Sequence, residues 1–200
     1  MSLDPIKISL PDGSVKEFNK GITGKEIAES ISSGLARVAL SISVNGEIWD
    51  LNRSIEQDSS IQIHTWDSEE GKYTFWHSSA HLLAEAIQEV FPEAKFGIGP
   101  PIENGFYYDV DFGDYTLQQE DLRRLEKKFI DLARTKSSFN RRSVSKKEAL
   151  DFYQERSNEY KIDLIEGLED GEMTFYTQGG FTDLCRGPHL PDTSGIKAVA

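Results

Sequence analysis

The chain has 200 residues, 38% of them hydrophobic and 28% charged, and a net charge of −12. That length suits one large domain or two small ones; no apolar run approaches the ~20 residues that span a bilayer, so no membrane partner is expected. A chain this acidic is not a general nucleic-acid binder, because phosphate contacts need Lys and Arg, and its single cysteine excludes an internal disulfide and suits a reducing, cytoplasmic compartment.

The first residues, Met1 to Pro5, lack the basic and apolar regions of a secretory signal. Ile6, Ile8 and Leu10 alternate with polar residues, the period of a half-buried strand. Pro11-Asp12-Gly13 is a turn, and Val15 to Phe18 returns as a second strand. Thr23 and Glu26 have the spacing of a capping box, predicting a short helix through Ile27, Ala28 and Ile31 that Gly34 ends. Val38 to Val44 reads as a third strand, Asn45-Gly46 as a hairpin turn, then Glu47 to Leu51 and Ile61 to His64 as further strands. This order predicts a small ubiquitin-like β-grasp domain over residues 1–64. The segment Trp66 to Lys72 reads as a polar link to a larger α+β domain with an antiparallel sheet, residues 65–200.

In that second part, Ala80, Leu83, Ala84, Ile87 and Val90 recur at helical spacing, and Pro92 ends the pattern. Lys95 to Phe112 reads as a strand, a glycine-proline loop and a hairpin strand; its Gly97-Ile98-Gly99 precedes no helix and is no dinucleotide fingerprint. Thr116 with Gln119, and Ser145 with Glu148, are expected to cap two more helices. Between these helices lies a basic loop from Arg141 to Lys147. Thr174 to Thr177 and Phe181 to Leu184 read as a hairpin that delivers Cys185-Arg186-Gly187-Pro188-His189.

The chemistry concentrates in two pairs. His77 and His81 are four residues apart and share a helical face; Cys185 and His189 repeat the spacing. Brought together, they can bind a metal or move protons around a water nucleophile.

In its blocks and their order, the sequence resembles the N-terminal region of bacterial threonyl-tRNA synthetases. Pro11-Asp12-Gly13 and Val44-Asn45-Gly46 look like the TGS domain, a β-grasp module. His77-Ser-Ser-Ala-His81, Gly97-Ile-Gly-Pro100, Asn104-Gly-Phe-Tyr-Tyr-Asp109 and Asp183-Leu-Cys-Arg-Gly-Pro-His189 look like the editing domain. The resemblance implies a fragment of a longer enzyme that attaches threonine to its tRNA, with ATP, magnesium and zinc confined to a core outside this chain. It further implies a homodimer through that core, and threonine tRNA, presented by its 3′-aminoacyl end, as partner.

The implied activity is hydrolysis of serine mischarged onto threonine tRNA. One methyl group separates the two amino acids, a difference worth only ~1–3 kcal/mol to a binding pocket, so a second sieve is needed. The implied catalytic residues are His77 and His189 as acid/base groups, Lys161 as the editing lysine, and Asp183 to hold the substrate amino group or orient a histidine. His81 and Cys185 line the pocket, and Arg186 is a candidate phosphate contact. Taken alone, Lys161 reads as an exposed strand lysine and Asp183 as a loop cap. The resemblance implies that no metal is needed. The rival readings are a zinc-dependent, alanyl-type or free-standing deacylase, and a non-catalytic module binding RNA or a regulator.

Overall fold

A computed structural model describes residues 5–169, 171 and 173–197. The chain forms two compact units. One joins the residues up to Phe75 with Gly187–Pro191; the other joins Trp76–Arg186 with the residues from Asp192 onward.

In the first unit, β1 (Pro5–Ser9) buries Ile6 and Ile8 on one face. It runs antiparallel to β2 (Val15–Asn19), with Ile6 opposite Phe18. After β3 (Ile22–Thr23), Thr23 opens α1 (Gly24–Ile31): the Glu26 amide donates to its hydroxyl and the Glu26 carboxylate accepts from its backbone amide. Gly34 does not end this helix. Ser32 does, in extended conformation, and its hydroxyl accepts from Leu35 to start α2 (Ser33–Val38). A serine that caps the next helix outweighs a glycine two residues on. The following strand therefore begins late, as β4 (Ser41–Val44). Asn45 and Gly46 both take positive φ, as a two-residue hairpin demands, leading into β5 (Glu47–Trp49). β6 (Ser54–Ile55) pairs with β3, and β7 (Ser59–His64) runs parallel to β1 and antiparallel to β4. The sheet order β2-β1-β7-β4-β5, with Ile8, Ile27, Ile42 and Leu51 in the core beneath, is a β-grasp.

The predicted polar link is mostly helix, since α3 (Glu69–Val90) starts within it. In the second unit β8 (Lys95–Phe96), β9 (Pro101–Ile102), β10 (Gly105–Phe106) and β11 (Val110–Asp111) form two separate antiparallel pairs, β8 with β11 and β9 with β10. Thr116 does not cap α4 (Gln119–Arg134). Gln118 takes the cap position, its amide donating to the Asp121 carboxylate at 2.9 Å, and the Tyr115 hydroxyl donates to the same oxygen. The basic segment is no loop: its arginines lie in β12 (Asn140–Val144), an outer strand, and its lysines open the helix that follows. Its charges are largely engaged, Arg142 with Glu148, Lys147 with Asp151, and Lys146 with the carbonyls of Glu166 and Leu168. Ser145 caps α5 (Lys146–Gln154) as expected, and Asn158 caps α6 (Glu159–Glu166). β13 (Met173–Gln178) and β14 (Phe181–Leu184) complete the antiparallel sheet β12-β13-β14. No described helix is long and apolar enough to cross a membrane.

Candidate functional site

The sheet register sorts β13 and β14 into two faces. Tyr176 pairs with Asp183 and Gln178 with Phe181, so these four side chains share one face. Phe181 on that face stacks edge-on against His81, and Ala84 and Ile87 of α3 pack on Phe181. The hairpin turn is tied to the helix by name. Glu85 accepts from the Gly180 amide at 2.8 Å, Gln88 donates to the Gly180 carbonyl, and Gln178 donates to the His81 carbonyl, both at 3.0 Å. Gly179 adopts φ +49°, and a Cβ there would lie 1.9 Å from the Glu85 carboxylate; glycine takes this backbone conformation without strain and leaves the carboxylate its place.

This docking brings the first pair to the thiol. The rings of His77 and His81 meet at right angles, 5.2 Å apart. Nε2 of His77 lies 3.2 Å from Sγ of Cys185. His77, His81 and Cys185 each offer a ligand atom within 4.8 Å of the others. The Cys185 amide donates to Thr174 at 3.0 Å, which pins the thiol at the end of β14. Outside it runs a groove of about 670 Å³ bordered by Leu164, Leu168, Met173, Thr174, Cys185 and Arg186. Arg186 is exposed there. His189 belongs to the first unit, where it is buried and its amide donates to Asp50 at 2.6 Å.

Lys161 is neither exposed nor in a strand. It sits in α6 with 1% exposure, on the helix face it shares with buried Ile165, and Asn158 caps the helix by accepting from its amide. Its ammonium lies 2.6 Å from Oδ1 of Asp183. Asp183 is likewise no loop cap but a buried residue of β14. Two tyrosines that sequence reasoning missed complete the arrangement: Tyr153 donates to Oδ1 at 2.8 Å and Tyr108 to Oδ2. Tyr108 reaches Asp183 by lying across Gly99, where a Cβ would meet its ring at 2.2 Å. The run Asn104-Gly-Phe-Tyr-Tyr held that signal, but only the folded chain, with Tyr108 laid over Gly99, assigns the partner.

Burial drives the Asp183 carboxyl up, yet the Lys161 charge and the hydrogen bonds hold it below its usual value, so the pair is ionic. Burial, and then the neighbouring His77, push His81 down from 6.5 to about 3, against the pull of Asp183. At neutral pH the His81 imidazole is therefore uncharged. A histidine whose folded value lies below its unfolded value adds stability that is complete above pH ~6.5 and is lost as pH falls toward its folded value. Between pH 6.5 and 5 the chain should lose up to ~1.4 kcal/mol per pH unit through this residue. Urea unfolding of the wild type against His81→Gln checks this: the variant should show the shallower pH slope. Equal slopes would show that His81 is not held neutral.

Comparison with known proteins agrees with this layout. Residues 6–65 match the TGS domain, and residues 173–200 match the threonyl and alanyl tRNA synthetase second additional domain. Relatives named threonine–tRNA ligase are 59% identical in Cytophaga hutchinsonii, 55% in Parabacteroides distasonis and 53% in Porphyromonas gingivalis, each alignment covering 97% of this chain. The chain spans 30% of the length of these relatives. Over nearly its whole length, then, the chain is similar to the N-terminal part of threonine–tRNA ligases, with a TGS domain in front and a tRNA-synthetase second additional domain entering behind it.

Proposed function

We propose that this chain hydrolyses the ester of serine mischarged onto threonine tRNA and spares the threonyl ester. The observation that carries the reading is the trio His77, His81 and Cys185 packed within 4.8 Å, beside a buried lysine-carboxylate pair. The likeness to threonine–tRNA ligases supplies the substrate class. We assign the parent protein the ligation of threonine to its tRNA, as a cytoplasmic homodimer held by regions outside this chain.

The residues divide the work. The imidazole of His77 takes a proton from a water as its oxygen attacks the ester carbonyl. The negative charge that forms on the carbonyl oxygen is met by the Lys161 ammonium, a charge already fixed in a site with little water. The carbon–oxygen bond to the ribose then breaks as a second, already protonated imidazole gives its proton to the leaving oxygen; the proton held by His77 passes to solvent, from which the second imidazole is recharged. We assign that acid role to His189, which lies only four residues, at most ~14 Å of chain, beyond Cys185. Neutral His81 and the thiol of Cys185 border the reacting centre. The groove beside Cys185 is sized for the terminal nucleoside, with Arg186 at its rim for phosphate. A threonyl methyl would occupy the place of the attacking water.

A zinc-dependent deacylase is the second reading, favoured by the same trio. Zinc–sulfur and zinc–nitrogen bonds of ~2.3 and ~2.0–2.1 Å would bring such donors to one ion. His77, His81 and Cys185 would hold it, and it would acidify a bound water. We favour the metal-free route, since the imidazoles and Lys161 already cover the proton and charge work.

The test is cleavage of seryl- and threonyl-tRNA for threonine, before and after exhaustive chelation, with metal content measured on the same sample. Serine release that survives chelation is expected, with the threonyl ester largely intact. Activity lost on chelation and restored by stoichiometric zinc would overturn the metal-free route. Equal cleavage of both esters would defeat the sieve, and no cleavage of either would favour a binding module.

A further inference from the structure

The Asp183 carboxylate is more heavily donated to than a substrate-binding group needs. Oδ1 alone accepts from the Lys161 ammonium at 2.6 Å, the Tyr153 hydroxyl at 2.8 Å and the Leu184 amide at 2.9 Å, and Oδ2 accepts from Tyr108. Three donors fill an oxygen that has two lone pairs. Little of that oxygen is left for an incoming ammonium. The Lys161 ammonium, by contrast, has three N–H bonds and gives one of them to Asp183.

Tyr153 is the hub of this arrangement. It comes from α5, is 3% exposed, and its ring is fixed among Phe152, Phe175 and Met173. Its hydroxyl donates to Asp183 and accepts from the Leu184 amide at 2.8 Å. β14 is an outer strand, so the Leu184 amide has this phenol and the Asp183 carboxylate in place of a ladder partner. The next residue is Cys185.

We propose that Tyr153 is a positioning residue of the site, acting through Asp183 to aim the Lys161 ammonium and through the Leu184 amide to set where Cys185 is presented. The inference rests on the hydrolytic reading for its effect on rate, but not for its effect on the thiol. Without the hydroxyl, Asp183 turns toward its remaining donors and draws Lys161 with it, while the end of β14 loses a fixed acceptor. Burial and the Asp183 charge hold the phenol well above its ordinary value, so it stays a donor throughout the working pH range.

Tyr153→Phe keeps the ring and its packing, and two readouts separate position from mere stability. The first is the deacylation rate of seryl-tRNA. It should fall roughly ten- to a hundredfold at saturation with KM little changed, and the same substitution in a Lys161→Met background should cost under about twofold. The second is alkylation of Cys185, the only thiol in the chain, by iodoacetamide. Its rate should change roughly threefold or more, at a melting temperature that accounts for no loss of folded protein. An altered alkylation rate in a chain that cleaves no ester would sustain the positioning role and sink the hydrolytic reading. An unaltered alkylation rate, or a rate loss that is fully additive with Lys161→Met, would overturn the proposal.

Discussion

His77→Ala should slow hydrolysis of the seryl ester by ~10²–10⁴-fold, the usual loss when a positioned acid/base group is removed, in a chain that still folds. The reasoning starts from the helix. His77 and His81 stand one turn apart on α3, and Nε2 of His77 lies 3.2 Å from the Cys185 thiol. His81 is the more deeply buried and is held uncharged to about pH 3, which is why we assign the base role to His77 and not to His81. Removing the His77 ring from a position with 8% exposure leaves a space that water can enter, and circular dichroism should report an unchanged fold. Single-turnover release of serine measures the loss. A rate within twofold of the wild type would transfer the base role elsewhere.

Asp183→Ala should be among the most destabilising single changes in the second unit. It leaves the Lys161 ammonium buried at 1% exposure without its carboxylate, and it strips the hydroxyls of Tyr108 and Tyr153 of their acceptor. Breaking one side of a buried ion pair costs ~3–5 kcal/mol, a large part of the ~5–15 kcal/mol that holds a domain folded. At ~2–4 °C per kcal/mol for a chain this size, melting should fall by roughly 6–20 °C. Lys161→Met combined with Asp183→Leu should restore much of that stability, because the cost lies in the uncompensated charge and not in lost attraction. A single variant that melts with the wild type would mean that water already reaches the pair.

The β-grasp was legible because each of its devices is local. Alternation in Pro5–Ser9, a capping box at Thr23 and a positive-φ pair at Asn45-Gly46 each leave a mark within a few residues. The end of α1 was not legible: Ser32 both terminates that helix and caps the next, so the break falls two residues before Gly34. The histidine pair and the Cys185 hairpin were legible from spacing, and the docking of the β13–β14 turn on α3 brings them together. Lys161 was not. Its neighbours Glu159 and Tyr160 are solvent-facing, and the charge is buried only because Asp183, 22 positions later, folds back to meet it. Tyr153 and Tyr108 were invisible for the same reason, since a phenol in a core and a phenol on a carboxylate leave the same trace in sequence. The basic run from Arg141 was legible as charge but not as strand, because its neutralising partners lie on α5 and behind α6.

The grip of α3 on the turn at Gln178–Gly180 has a mechanical consequence. His77 and Cys185 lie on different elements, and three hydrogen bonds, from Gly180 to Glu85, from Gln88 to Gly180 and from Gln178 to His81, tie those elements together. Each contributes ~0.5–1.5 kcal/mol net, and all must yield together before imidazole and thiol drift apart. Helix and hairpin are thus coupled as the arms of a caliper, the kind of support by which a working site keeps its ~0.5 Å tolerance. A methyl group is several times wider than that tolerance, so a gauge of this kind would suffice for the seryl/threonyl discrimination we propose.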